Sequence, residues 1–179
     1  MTAKIVKDGR ILPFGEFIAA DDYEAWMRRG IPKAGDIVMT TEAPLGEVAQ
    51  LDDRRVALAQ RLITLRGKPG VLDNSYLRFL MQSPTFQTDL HARASGTTVL
   101  GIRQSELRKM QLFLPPMAQQ TAFADLVTPL TKQMDKNWCQ NETLATLRDT
   151  LLPRLLSGEL TPDAFDATAI DLGLLRHVT

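Results

Sequence analysis

The sequence predicts an α+β fold: a small mixed α/β domain followed by a long coiled-coil helix that pairs antiparallel. Three observations predict it. Short, turn-bounded apolar runs fill residues 1–115, which hold nine of the eleven glycines. From Phe123 to Leu155, one stripe of positions then recurs at alternating steps of four and three residues, the heptad period. Pro115-Pro116 separates the two patterns.

The elements follow in order. Asp36–Thr41 (DIVMTT) is a strand, Pro44 and Gly46 make a turn, and Glu47–Leu51 is a second strand. Arg55–Arg66 is apolar and branched enough for a third. Asp73 starts a helix that runs to Gln82 and carries Tyr76, Leu77, Phe79, Leu80 and Met81 on adjacent turns. Ser83-Pro84 stops it and caps the next, Thr85–Ala94. Ser95-Gly96-Thr97-Thr98 is a polar turn, Gln104–Lys109 a short helix and Met110–Leu114 a strand.

The stripe is Phe123, Val127, Leu130, Met134, Asn137, Asn141, Leu144, Arg148, Leu151 and Leu155, apolar at seven of ten positions. In an antiparallel pair of identical helices centred near Cys139, Asn137 faces Asn141 and Met134 faces Leu144. A large slip would bury an amide against leucine, at about 1–3 kcal/mol per unsatisfied group. The sequence therefore favours self-pairing; packing on the chain's own first half or on another protein is the alternative. Pro129 either starts a new helix or kinks a continuous one, Pro153 acts similarly, and Ser157-Gly158 is a stop.

Composition narrows the function classes. At 179 residues, 44% hydrophobic and 23% charged, the chain is globular, with room for one domain and an appended element. No apolar run suits a membrane span, and MTAKIVKDGR lacks the features of a secretory signal, so a cytoplasmic protein is expected. A single cysteine, Cys139, and two histidines, His91 and His177, argue against a disulfide framework and leave little for a metal. Residues 1–115 hold 16 Lys+Arg against 13 Asp+Glu, and eleven of those cations are arginines. Guanidinium forks suit phosphates and guanine edges.

Neither GxGxxG, GxxxxGK[ST] nor GxSxG occurs. Pro115-Pro116 lacks the preceding Asp or Asn of an adenine-methyltransferase tetrapeptide. Cys139, His91 and Asp52-Asp53-Arg54-Arg55 read as structural or solvated groups, so no catalytic residue and no metal ligand is expected. Binding remains. Gln60 and Arg61 set an amide suited to adenine beside a guanidinium suited to guanine or phosphate on a strand, where alternation lets only one of the two point into a groove. Arg93, Ser95, Thr97, Thr98 and Arg103 form a basic, hydroxyl-bearing segment of the kind that positions phosphates, or else an ordinary surface turn. Arg28 and Arg29 are weaker candidates.

With these residues in place, the chain resembles the specificity (S) subunit of type I restriction-modification systems. The resemblance is carried by Pro32–Leu51 (PKAGDIVMTTEAPLGEVAQL), Ala59–Leu65 (AQRLITL), Ser95–Thr98 (SGTT), Leu114–Gln120 (LPPMAQQ) and Asn141–Leu160 (NETLATLRDTLLPRLLSGEL). It implies a target-recognition domain over residues 1–115, a spacer helix over 116–158 and a C-terminal tail over 159–179. It implies a non-catalytic subunit that binds double-stranded DNA and directs an adenine-specific methyltransferase to a bipartite sequence. The partner modification (M) subunit would hold S-adenosylmethionine, and this chain no cofactor. A restriction (R) subunit is a further possible partner, and defence against foreign DNA the setting.

A typical member carries two recognition domains and two spacer helices in one chain, and this sequence shows one of each. Two copies would rebuild the whole and read an interrupted palindrome. The stripe residues Phe123, Val127, Leu130, Met134, Asn137, Asn141, Leu144, Leu151 and Leu155 are then the dimer or partner interface. As a helix, Leu130–Leu156 spans about 40 Å, a ruler between half-sites. Only 34 residues precede Gly35, where the family usually has a longer strand-rich section. The recognition domain is thus expected to be shortened, and the alternative is a truncated scaffold or decoy that binds the M subunit without reading DNA.

Overall fold

A computed structural model of the chain describes residues 1–160. It divides into two compact units, the first Met1–Thr128 and the second beginning at Pro129.

The first unit opens with a hairpin that the sequence reading did not anticipate, β1 (Val6–Lys7) and β2 (Arg10–Ile11), with Val6 opposite Ile11. Its turn is Asp8-Gly9, at φ of 51° and 80°. Asp-Gly is a strong signal for such a turn, and it is legible in the sequence. A four-residue helix α1 (Tyr23–Trp26) follows. Then β3 (Ile37–Thr41), β4 (Leu45–Gln50) and β5 (Leu62–Leu65) form an antiparallel sheet in the order β4-β3-β5. The remaining elements are α2 (Asn74–Gln82), α3 (Pro84–Ala92), α4 (Gln104–Leu107) and α5 (Met117–Leu156).

Both faces of β3 are covered. Ile37 and Met39 pack with Val48, Leu77 and Met81 of α2, Phe86 and Leu90 of α3, and Ile102. On the opposite face Val38 and Ala49 pack with Met1, Val6, Leu51 and Val56. A central strand buried on both sides reads as a continuous apolar run, which is why DIVMTT shows no alternation. Thr40 is fully buried, and its hydroxyl accepts the Glu47 N–H at 2.9 Å.

Polar groups close the ends of this sheet. Buried Asp36, just before β3, accepts two hydrogen bonds from Arg66, just past β5, at 2.5 and 2.6 Å, and the Lys33 N–H at 2.8 Å. The Arg66 bonds hold the Asp36 carboxyl below its ordinary value against the opposing effect of burial. Gly46, at φ 85°, lets the chain pass α3: an added Cβ would sit 2.5 Å from Gln87 Oε1 and 2.9 Å from Leu90.

The helix caps are those the sequence specifies. Asp73 accepts the N–H groups of Ser75 and Tyr76, and Ser83 ends α2 and caps α3 by accepting the Phe86 N–H, with Pro84 at the first turn. α5 starts directly after Pro115-Pro116, and its first turns belong to the first unit. Gln120 is buried, accepts the Asp73 N–H at 2.9 Å, and donates to the carbonyls of Val71 (3.1 Å) and Pro115 (2.8 Å). Phe123 meets Tyr76 and Phe79 edge-on at 5.9 and 5.4 Å.

Two expected strands are corrected. Only Leu62–Leu65 of Arg55–Arg66 pairs in the sheet. The preceding stretch is apolar because Val56 is buried, but much of its backbone is answered from the N-terminal region. The Met1 ammonium donates to Ala57 O, Tyr23 to Val56 O and Trp26 to Leu58 O. Met110–Leu114 is irregular rather than a strand: Leu112, Phe113 and Leu114 are exposed, and the Phe113 carbonyl accepts the Tyr76 hydroxyl.

In the second unit α5 continues from Pro129 to Leu156 as helix, so Pro129 does not begin a new one. Gly158, at φ 74°, follows its end, where the Ser157 N–H bonds Pro153 O. At about 100° per residue, Leu130, Met134, Trp138, Leu144, Leu151, Leu152 and Leu155 share one arc of the helix. All but Leu151 are exposed, whereas Cys139 falls on the other side. Asn137 accepts a hydrogen bond from Gln133 of its own helix at 2.8 Å. Of the tail expected over 159–179, all but the first two residues lie outside the described residues. Among the described residues no helix is long and apolar enough to cross a membrane.

Candidate nucleic-acid interface

The residues after α1 and those before β5 face each other across a groove of about 590 Å³. Its walls include Trp26, Arg28, Arg29, Gln60, Arg61 and Gln104, and among the described residues no acidic one lines it. Side chains and backbone together fix this arrangement. The Trp26 indole donates to Leu58 O at 2.8 Å, and the Leu58 N–H points to Met27 Sδ at 3.3 Å. α1 is thereby pinned to the segment that leads into Gln60-Arg61, which places Arg28 and Arg29 opposite.

Arg61 stands at the entry to β5 with φ 70°, a left-handed conformation uncommon for a side chain of this size. Its carbonyl accepts the Thr41 N–H at 2.9 Å, and its guanidinium lies 3.5 Å from Glu42. Glu42 in turn forms an antiparallel bridge with Gly101, and Gly101 one with Ser95. Ser95 and Gly101 exchange both backbone hydrogen bonds, at 2.9 and 3.0 Å, and the Ile102 N–H bonds Thr41 O. The Ser95–Gly101 loop is therefore docked at the end of β3, beside Arg61. Gly96 turns it: a Cβ there would lie 2.0 Å from Val99 O.

The sequence candidates divide as follows. Gln60 and Arg61 both line the groove, against the expectation of strand alternation, because they lie in the turn before β5 and not in the strand; Arg103 stands between two lining residues, Ile102 and Gln104. Ser95 is joined to the same region through Gly101. Thr97 and Thr98 sit on the exposed part of the loop. Arg93 is paired with Asp89 at 2.9 Å on α3 and is not among the residues that line the groove. Arg28 and Arg29, the weakest candidates in the sequence, are groove residues. Trp26 and Gln104 were not singled out; they are distant in sequence from Gln60, and only the fold joins them. His91 bonds Gln87 O within its helix, and Asp52 pairs with Arg54 on the surface, in keeping with a structural and a solvated group. Among the described residues no cluster of His, Cys, Asp and Glu is placed to hold a metal.

Comparison with known proteins bears directly on this chain. The family model for the type I restriction modification DNA specificity domain matches residues 27–144. The type I restriction enzyme MjaIX specificity subunit of Methanocaldococcus jannaschii is 32% identical over 84 residues, which are 47% of this chain and 18% of that one. A crystal structure of the S subunit of a type I restriction-modification system from M. genitalium superposes with a TM-score of 0.58 at 23% identity. That match covers 72% of this chain and 34% of the other, and it supports the α+β domain with its long helix as a shared fold. The chain thus spans about a fifth of the curated relative and a third of the solved one. Because the family model covers well over half of the sequence, with the first turns of α5 and every named groove residue but Trp26 included, the chain belongs to the type I restriction modification DNA specificity domain family.

Proposed function

We propose that this chain is a non-catalytic specificity subunit that reads DNA through the groove and directs an adenine-specific methyltransferase to a bipartite sequence. The observation that carries this reading is the convergence of three arginines and two glutamines on one groove, with Glu42 beside Arg61. Arg28 and Arg29 suit phosphates, Gln60 and Gln104 adenine edges, and Arg61 guanine. The M subunit supplies S-adenosylmethionine and the methyl transfer; this chain binds no cofactor. The complex acts on double-stranded DNA in the cytoplasm, and a restriction (R) subunit is a further candidate partner.

The exposed arc of α5 supports the second half of the proposal, an antiparallel homodimer or a seat for the M subunit. Leu130, Met134 and Leu144 each expose about three-fifths of their surface (61, 59 and 61%). So much apolar surface in one stripe marks an interaction face. Two copies paired through it would present two identical readers and select an interrupted palindrome.

The test is genome-wide mapping of methylated adenine in a methylation-free host expressing a cognate modification subunit with and without this chain. A palindromic, interrupted motif that depends on this chain is expected. Absence of any new motif while the two proteins copurify would overturn DNA reading and leave the scaffold or decoy.

A further inference from the structure

We propose that Arg61 and Glu42 act as a pair that reads a single G·C base pair. The guanidinium donates to O6 and N7 of guanine, and the carboxylate accepts from the N4 amino group of the paired cytosine. This rests on the reading of the groove as a DNA face.

Three observations support it. First, both backbones are fixed where the two residues meet. Glu42 is held by its bridge to Gly101, and Arg61 by the hydrogen bond from Thr41 to its carbonyl. Second, Arg61 occupies a left-handed position at φ 70°, where a turn alone would favour glycine or asparagine. The side chain therefore starts from a fixed point of the groove wall. Third, the guanidinium nitrogen and carboxylate oxygen lie 3.5 Å apart, with 53% and 39% of their side chains exposed. The pair therefore stands side by side with both groups open to a ligand.

That spacing matches the target. In a G·C pair, guanine O6 and cytosine N4 are hydrogen-bonded to each other at about 2.9 Å. They present an acceptor next to a donor on the major-groove edge. A donor and an acceptor held side by side on the protein meet them in order. The reversed pairs, C·G and A·T, set a donor against the guanidinium. T·A keeps the order but offers one acceptor instead of two, with the thymine methyl beside it. Glu42 also places a negative charge at the lip of a basic groove, which weakens sequence-independent attraction to phosphates.

The experiment is selection from a randomised duplex library by the full chain, with Glu42→Ala, Glu42→Gln and Arg61→Ala alongside, followed by sequencing. Wild type is expected to require G·C at one half-site position. Glu42→Ala should relax that position by about tenfold or more and Glu42→Gln by less, because its amide oxygen still accepts from the N4 amino group; both should leave the other positions as they were and bind non-specific DNA more tightly. Arg61→Ala should lose the same position and bind more weakly. Melting temperatures should match wild type, because an exposed ion pair contributes little to stability. No enrichment by wild type would remove the groove reading and this inference together. A wild-type motif unchanged in the Glu42 variants would remove this inference alone.

Discussion

Asp36 and Arg66 form a bidentate ion pair that ties the start of β3 to the end of β5, one partner almost wholly buried and the other half in water. The pair makes stability depend on pH. Arg66 keeps the Asp36 carboxyl below its ordinary value in the folded chain, so the unfolded chain takes up the proton first as pH falls. The contribution is complete above the unfolded aspartate value of about 3.9 and disappears as pH drops through the depressed folded value. Arg66→Ala should cost about 2 kcal/mol at neutral pH, and the gap to wild type should close in acid. Urea unfolding between neutral pH and pH 3 measures both.

Gln120 answers three backbone groups at once, at Asp73, Val71 and Pro115. Gln120→Leu should destabilise the chain by about 2–4 kcal/mol by orphaning buried polar groups. Gln120→Glu should be worse at neutral pH, because it buries a carboxylate charge against the two carbonyl oxygens. Its deficit should shrink in acid, when the introduced carboxyl holds a proton. Thermal melts at pH 5 and pH 8 distinguish the two variants.

The arc of α5 predicts an assembly defect without a folding defect. Leu144→Glu or Leu130→Glu should convert a dimer to a monomer in light scattering and leave the melting of the first unit unchanged. In the antiparallel register Asn137 of one copy lies beside Asn141 of the other. Asn137→Cys with Asn141→Cys should therefore cross-link on oxidation, whereas native Cys139, on the other side of the helix, should not.

Arg28 and Arg29 should contribute to affinity without changing the sequence preferred. Replacing either with alanine is expected to lower the slope of log K against log salt by about one unit. Fluorescence anisotropy with labelled duplex across a salt series gives that slope for specific and unrelated DNA alike.

Local chemistry made much of the fold legible. Asp73, Ser83-Pro84, Pro115-Pro116 and Gly158 marked helix ends through their own backbone preferences, and the run at Ile37–Thr41 marked a strand. The errors came where tertiary partners replaced local ones. Val56–Leu58 looked like strand because it is apolar, but Met1, Tyr23 and Trp26 take its carbonyls. Leu112–Leu114 looked like strand because it is apolar too, yet it stays exposed. The groove was half legible: Gln60 and Arg61 are neighbours in sequence, but strand alternation set them on opposite faces and only the turn before β5 brings both to the groove, while Arg28, Arg29 and Gln104 join them through α1 and the chain after Gly101. Arg93 pairs with Asp89, one helical turn back on the same helix.

The three hydrogen bonds of Gln120 set a condition on how such domains can be exchanged between chains. A recombinant cut at Pro115-Pro116 would separate Asp73 and Val71 from the amide that satisfies them, and Tyr76 and Phe79 from Phe123. An exchange that keeps these contacts within one chain falls beyond Phe123, inside the helix itself, so the first unit travels with the opening turns of α5.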